Sequence, residues 1–183
     1  PEAYTALRGL QADATVDEGT RRDAYLLEAE LRGKDKQNVE ELDAFARGLA
    51  AYPDDPAILY SRALTWERRD DIPRAEADFR RILVAEPDNV TALNALGYTL
   101  ADRTTRYAEA LALIPDRSRP ILSQNAMVSV AAGQRAYLLD SFMIRLNVER
   151  DPAFGEPLWT AIREQRFGAV VLERNLDSEL YKV

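Results

Sequence analysis

The chain has 183 residues, of which 46% are apolar and 30% are charged, a length and composition typical of a folded protein rather than a disordered one. Its formal charge of −7, from 31 acidic and 24 basic residues, disfavours nucleic acid and anionic membrane surfaces as partners. The sequence has no cysteine and no histidine, which excludes disulfides, thiolate nucleophiles, Cys-ligated metals and the commonest general base.

The first twenty residues predict a helix and a connector. Pro1–Leu10 lacks the basic-then-apolar pattern of a signal peptide and is interpreted as the trailing helix of an earlier unit. Asp13–Gly19 is a polar connector. No apolar run approaches the roughly 20 residues that span a bilayer. Because the chain opens at proline rather than methionine, we expect a fragment or a mature form, which leaves room for a removed targeting segment.

A repeated Pro-Asp turn is the clearest pattern in the sequence. The same pattern, a helix end followed by Pro-Asp-Asp or Pro-Asp-Asn, occurs at Leu49–Asp55 and at Leu83–Asn89. The two prolines of this pattern, Pro53 and Pro87, lie 34 residues apart. A 34-residue period with this punctuation is typical of the tetratricopeptide repeat (TPR), whose unit is a pair of antiparallel helices. The period predicts units at about 23–55, 56–89 and 90–114, within a helical domain of residues 1–114.

The three units have the expected apolar positions. In the unit from Pro56, small residues are expected where the two helix backbones approach each other, and large residues where the pair packs against the neighbouring unit. Asp70-Asp71 is expected to form the turn that separates the two helices. Residues 23–52 form a weaker unit whose turn is Gly33–Lys36, and the third unit has one extra residue in its turn, Arg103–Arg106. The expected core positions are Tyr25, Leu26, Ala29, Leu31, Leu42, Phe45 and Leu49, then Leu59, Ala63, Trp66, Ala75, Phe79 and Ile82, then Leu93, Leu96, Gly97, Leu100 and Ala110.

The stretch PDNVTALNALGYTLADRTTRYAEALALI resembles the tetratricopeptide lipoproteins of the Gram-negative outer membrane, which carry a very similar NALGYTLADRT segment in a late repeat. The resemblance extends more loosely over residues 2–114. It implies an adaptor scaffold in the periplasm, associated with the outer membrane through an anchor that this chain does not contain. Some members dock and activate a periplasmic carboxyl-terminal processing protease, which is therefore the partner that the resemblance implies.

The repeat pattern stops at Pro115, and residues 115–120 are predicted to be a linker. One interpretation of residues 121–183 is a small α/β unit, with strands at 121–123 and Phe167–Leu172, an extended segment at 136–139, and helices at 125–132, 141–149 and 156–165. The other is a further degenerate helical repeat, since Pro87, Pro120 and Pro152 are spaced near the period. The predicted fold is thus mainly α, a TPR-type superhelix followed by a small α/β or degenerate helical unit.

Residues 118–175 show a second and weaker resemblance, to the extracytoplasmic soluble tail of polytopic membrane glycosyltransferases that use lipid-linked sugars. The motifs that carry it are the spacing from Gly133 to Tyr137 and the segment RFGAVVL, which ends at Leu172. The membrane region and the acidic catalytic loop of those enzymes have no counterpart in this sequence. An accessory tail of such an enzyme is therefore the alternative functional interpretation.

No constellation of residues indicates catalysis, a metal or a cofactor. The carboxylate pairs Asp54-Asp55, Asp70-Asp71 and Glu40-Glu41 are expected to cap helices. Ser123 and Ser129 have no histidine or nearby lysine to activate them. The arginine pairs are expected to form ion pairs on helix faces, as between Glu76 and Arg80 at i,i+4, with binding of an acidic peptide terminus as the alternative. We therefore predict a chain that is not an enzyme.

The candidate binding residues lie on the first helix of each repeat, which lines the concave groove in this architecture. Exposed groove positions are expected at Ala57, Thr91 and Ala101, and also at seven residues that could contact an extended peptide or a partner helix. These predicted partner-binding residues are Tyr60, Leu64, Glu67, Arg68, Asn94, Tyr98 and Asp102. The predicted function is a non-catalytic scaffold or adaptor that binds a protein or peptide partner.

Overall fold

The computed structural model describes residues 2–114, the strand residues 121–123, 137–138 and 169–171, and residues 160, 163, 164 and 166. The chain divides into two compact units, Pro1–Ala92 and Leu93–Val183, and the division falls inside a helix. The predicted domain boundary near residue 115 differs from this division. That boundary stays a prediction, because the predicted linker at 115–120 lies outside the described residues.

The described part of the first unit consists of helices. They are α1 (Glu2–Ala12), α2 (Glu18–Lys34), α3 (Asn38–Ala51), α4 (Pro56–Arg68) and α5 (Ile72–Ala85), followed by the first turn of α6 (Val90–Asp102). Helix α2 packs against α3, α4 against α5, α1 against α2, and α3 contacts α4. Because a three-residue turn reverses the chain between α2 and α3 and between α4 and α5, each pair is an antiparallel helical hairpin.

Aspartates start the helices at the predicted turns. The Asp55 carboxylate accepts hydrogen bonds from the backbone N–H groups of Ala57 (3.0 Å) and Ile58 (2.9 Å). Asp71 accepts one from the N–H of Arg74 at 3.3 Å. Asp70 has a φ of +61°, the left-handed conformation that closes the turn between α4 and α5. The expected capping role is confirmed for the second aspartate of each Asp-Asp pair.

Two apolar clusters join the helices of the first unit. Ile58 of α4 packs with Ala29 of α2 and with Ala44 and Phe45 of α3, so the two hairpins share a core. Leu59 and Ile82 pack with Ala92, in the first turn of α6. Ala63, Ala75 and Phe79 are fully buried, as the repeat pattern predicts. Several expected core residues are only half-buried, namely Trp66, Tyr25, Leu26, Leu31, Leu42, Leu49 and Leu93.

The central guanidinium carbons of two arginines lie over the Trp66 ring. That of Arg74 is 4.8 Å from the ring centroid and that of Arg69 is 6.0 Å away. Both distances fall within the range of cation–π contact. Trp66 therefore belongs to the surface around the turn between α4 and α5, beside the core rather than inside it.

Glu28 is a buried carboxylate that joins α1, α2 and α3. Its side chain is fully buried and accepts hydrogen bonds from Arg8 (3.2 Å), Gln11 (2.8 Å) and Arg47 (2.8 Å). Burial by itself raises the pKa of Glu28, but the hydrogen bonds from Arg47, Gln11 and Arg8 outweigh it and hold that pKa below its usual value. The charged form of Glu28 is thus favoured in the folded protein.

Two further buried carboxylates are paired with arginines between helices. Asp78 of α5 accepts two hydrogen bonds from the Arg62 guanidinium, at 2.8 and 2.6 Å. Glu41 of α3 accepts hydrogen bonds from Arg68 (2.8 Å) and Arg69 (2.6 Å), both at the end of α4. The capping role expected of Glu40-Glu41 is therefore wrong for Glu41, because its carboxylate turns away from its own helix start and bonds the next hairpin.

The described part of the second unit contains the rest of α6, the short helix α7 (Tyr107–Ala112) and three short strands, β1 (Ile121–Ser123), β2 (Tyr137–Leu138) and β3 (Ala169–Val171). The strands form a parallel sheet of order β2-β1-β3, with Leu122 opposite both Tyr137 and Val170. The helices expected at 125–132 and 141–149, and most of the one at 156–165, lie outside the described residues. The α/β unit as a whole therefore stays a prediction.

Candidate functional site

The predicted partner-binding residues of the first unit lie on α4 and differ in exposure. Tyr60 and Glu67 are half-buried, and Arg68 is exposed. Leu64 is only 3% exposed, so its predicted role as an exposed apolar anchor is wrong. Three consecutive residues, Ala63 to Thr65, are buried. Because consecutive residues are about 100° apart around a helix, α4 is covered over a wide arc at this level rather than along one narrow stripe.

Tyr60 presents a partly exposed ring supported from within its own hairpin. Its ring centroid lies 5.7 Å from that of Phe79 on α5, with an interplanar angle of 57°. A tilted aromatic pair at this distance is favourable and holds the tyrosine ring in one orientation. The Tyr60 ring is therefore restricted before any binding, so a contact with it would cost little side-chain entropy.

Arg68, one of the predicted partner-binding residues, also contacts the preceding hairpin. Besides its 2.8 Å contact with Glu41, its guanidinium donates a hydrogen bond to the Thr65 hydroxyl at 2.9 Å. More than half of the Arg68 side chain is nevertheless exposed. Because a carboxylate already holds this guanidinium, Arg68 is a positioned surface cation rather than a mobile one.

The remaining predicted residues lie on the part of α6 that belongs to the second unit. Asn94 and Tyr98 are half-buried and Asp102 is exposed. The Tyr98 hydroxyl donates a hydrogen bond to Asp102 at 2.9 Å, one helical turn further along. The exposure expected for Ala101 is wrong, since Ala101 is buried together with Thr99 and Leu100. As on α4, three consecutive buried residues mean that this part of the helix is covered over a wide arc.

Helix α2 carries positions equivalent to those on α4, which are not among the predicted partner-binding residues. Subtracting the 34-residue period from Tyr60, Ser61 and Arg68 of α4 gives Leu26, Leu27 and Lys34 of α2. Leu27 is 45% exposed although it lies near the middle of its helix. The period defines this unit in the sequence, where Leu26 is expected in the core, but groove positions are predicted only for the second and third units. We define the α2/α4 face as Asp23, Leu26, Leu27, Glu30 and Lys34 on α2, with Ala57, Tyr60, Ser61, Glu67 and Arg68 on α4.

The excess negative charge of the protein lies in the unit that carries the α2/α4 face. Residues 1–92 contain 20 acidic and 13 basic residues, a net charge of −7, whereas residues 93–183 contain 11 of each. On the face itself, Asp23 pairs with the adjacent Arg22 at 2.8 Å and Glu30 pairs with Lys34 at 2.7 Å. Such exposed pairs contribute little to stability and exchange partners readily.

The described residues show no metal-binding arrangement and no membrane-spanning helix. Within them, no three or more carboxylates lie close enough together to hold a metal ion. None of the helices in that part of the chain combines the length and apolar character needed to cross a bilayer.

Successive hairpins that share a core define a helical repeat protein. Among curated proteins, the chain is 50% identical over 90 residues to the TPR repeat-containing protein PA4667 of Pseudomonas aeruginosa, a match that covers 49% of this chain. The chain spans only 15% of the length of that relative. No protein-family model matches the chain. The similarity and the helical hairpins together confirm the resemblance to tetratricopeptide-repeat proteins, a class that generally mediates protein–protein interaction and is generally not catalytic.

Proposed function

We propose that this chain is a non-catalytic scaffold that binds a protein or peptide partner on the α2/α4 face. The observation that carries the proposal is the exposure of Leu27, with the half-buried Leu26 and Tyr60, on the first helices of two hairpins that share a core. Repeat symmetry puts equivalent positions of successive hairpins on one side of the array.

The absence of cysteine from the sequence allows a direct test by site-specific crosslinking. A cysteine introduced as Ser61→Cys and labelled with a benzophenone reports on the α2/α4 face, and Val84→Cys on α5 is the matched control, 84% exposed. Peptides selected on the full chain from a random twelve-residue library should crosslink to the labelled Ser61 position and not to Val84. Equal crosslinking at both positions, or crosslinking only at Val84, contradicts the proposal.

Tyr60 allows an independent check on affinity. Tyr60→Ala should weaken the selected peptides by about tenfold, the cost typical of truncating one aromatic anchor. Tyr60→Phe retains the ring packing on Phe79 and should bind within about twofold of the unchanged chain. If Tyr60→Ala unfolds the first unit, the Tyr60→Phe variant and the crosslinking result still decide the question.

The finer role that we propose is that of an adaptor for a periplasmic carboxyl-terminal processing protease at the outer membrane. Its support is the NALGYTLADRT segment and the resemblance of residues 2–114 to outer-membrane tetratricopeptide lipoproteins. Adding the purified chain to such a protease should raise its rate of peptide hydrolysis, and Tyr60→Ala should reduce that activation. An unchanged rate at saturating chain concentration contradicts the adaptor role while leaving the scaffold proposal intact.

A further inference from the structure

Leu27 differs from the other large apolar residues exposed on the described helices. Val39, Val84 and Val90 lie in the first or last turn of their helices, and Leu10 lies on the short helix α1. Leu27 is instead in the central part of the 17-residue helix α2, on the α2/α4 face. A leucine left nearly half exposed there is a suitable contact for an apolar side chain of a partner.

Two carboxylates flank Leu27 on the same side of α2. Asp23 precedes it by four residues and Glu30 follows it by three, so each lies about one helical turn away. Their side chains are 63% and 59% exposed. A cation from a partner can therefore approach either carboxylate in place of its present exposed ion pair, at little cost in stability.

The charge of the surrounding unit acts in the same direction. The net charge of −7 in residues 1–92 attracts cations and repels anions over distances of the order of the Debye length, about 8–10 Å. It also opposes face-to-face association with a second copy of this chain, whose corresponding surface is equally acidic. An acidic peptide is disfavoured for the same reason.

We propose that the α2/α4 face binds a basic, apolar-anchored segment of a partner protein. An apolar side chain of this segment contacts Leu27, and a lysine or arginine about one turn away on each side pairs with Asp23 and with Glu30. This inference rests on the proposed function, because it specifies the class of partner that the same face accepts.

Three labelled synthetic peptides test the inference by fluorescence anisotropy with the full chain. All carry the same central pair of leucines, flanked at one-turn spacing by lysines, by glutamines or by glutamates. The lysine peptide should bind about tenfold more tightly than the glutamine peptide and more tightly still than the glutamate peptide, with the preference reduced at high salt. Leu27→Ala should weaken the lysine peptide about tenfold, whereas Val84→Ala should leave it unchanged.

Two double variants distinguish the effect of the carboxylates on the α2/α4 face from the effect of the net charge of the chain. Asp23→Lys with Glu30→Lys should abolish the preference for lysine, while Glu40→Lys with Asp88→Lys, which changes the net charge equally at exposed positions elsewhere, should preserve it. Equal losses in both double variants overturn the inference, because only net charge would then matter. Glutamine or glutamate peptides that bind as tightly as the lysine peptide, and still depend on Leu27, overturn the basic partner but leave the scaffold function standing. Failure of all three peptides to bind also overturns the basic partner, while the crosslinking experiment decides the scaffold function separately.

Discussion

Replacing Ile58 by alanine tests whether the two hairpins of the first unit depend on a shared core. Ile58 is fully buried against Ala29, Ala44 and Phe45 of the preceding hairpin. A Cβ placed on Gly48 would lie 3.1 Å from the Ile58 Cδ1 atom, so the isoleucine fills the space directly above the α3 backbone. Because a packed helix backbone relaxes only partly, most of the cavity left by alanine should persist. We therefore expect Ile58→Ala to lower the free energy of unfolding by about 3–4 kcal/mol.

The effect should be visible in both stability and local protection. In urea and thermal unfolding of the full chain followed by circular dichroism, the expected loss corresponds to roughly 15 °C in melting temperature. Val84→Ala, at a solvent-exposed position of α5, is the control and should change the unfolding free energy by less than about 0.5 kcal/mol. Hydrogen exchange should accelerate in α2 and α3 as well as in α4 and α5, because neighbouring repeats stabilise each other. A loss below about 1 kcal/mol, or faster exchange confined to α4 and α5, would refute the shared core.

Three further predictions concern polar groups. Because the pKa of Glu28 is lowered in the folded state, its charge stabilises the protein above about pH 4.3, and this contribution is lost as the pH falls through the lowered pKa. Glu28→Gln should therefore flatten the acid limb of a plot of unfolding free energy against pH, and an unchanged limb contradicts this. Arg62→Ala leaves the buried Asp78 carboxylate unpaired and should lower the free energy of unfolding in urea by about 3 kcal/mol. The double variant Arg62→Met with Asp78→Leu removes both charges and should recover most of that loss, and equal stability of the single and double variants argues against the buried pair. Asp55→Ala should lower the free energy of unfolding by about 1 kcal/mol, because α4 loses its cap, whereas Asp55→Asn keeps a capping oxygen and should lower it very little. Equal losses for the two variants in the same assay mean that the cap is not the cause.

The helical hairpins could be predicted because their signals are local. The prolines at 53 and 87 end helices, Asp55 and Asp71 start them, and the small and large apolar residues recur at the repeat period. The prolines and aspartates act within one or two turns of the chain, and the period repeats these local patterns in the next unit, so residue types and their spacing are sufficient. The i,i+4 pair of Glu76 and Arg80, observed at 2.8 Å, was predictable for the same reason.

The candidate site was less predictable because exposure depends on neighbours distant in sequence. Leu64 occupies a position that helical spacing assigns to the binding surface, yet it is buried within a wide covered arc of α4. Leu27 shows the opposite case, because nothing in its local sequence distinguishes it from the half-buried Leu26 and Leu31 nearby. The 34-residue period identifies equivalent positions, but the covering of each position is decided by the packing of other helices.

The sequence by itself determined the helical repeat, the positions of its turns and caps, and the lack of the thiol and imidazole groups that much of enzyme chemistry needs. Only the tertiary structure decided which carboxylates act between helices. Glu28, Glu41 and Asp78 are ordinary helix residues in the sequence, and each becomes a buried partner of arginines as far as 28 residues away. The physical reason is that a buried charge requires its counter-charge within a few ångströms in space, whereas the sequence records only distance along the chain.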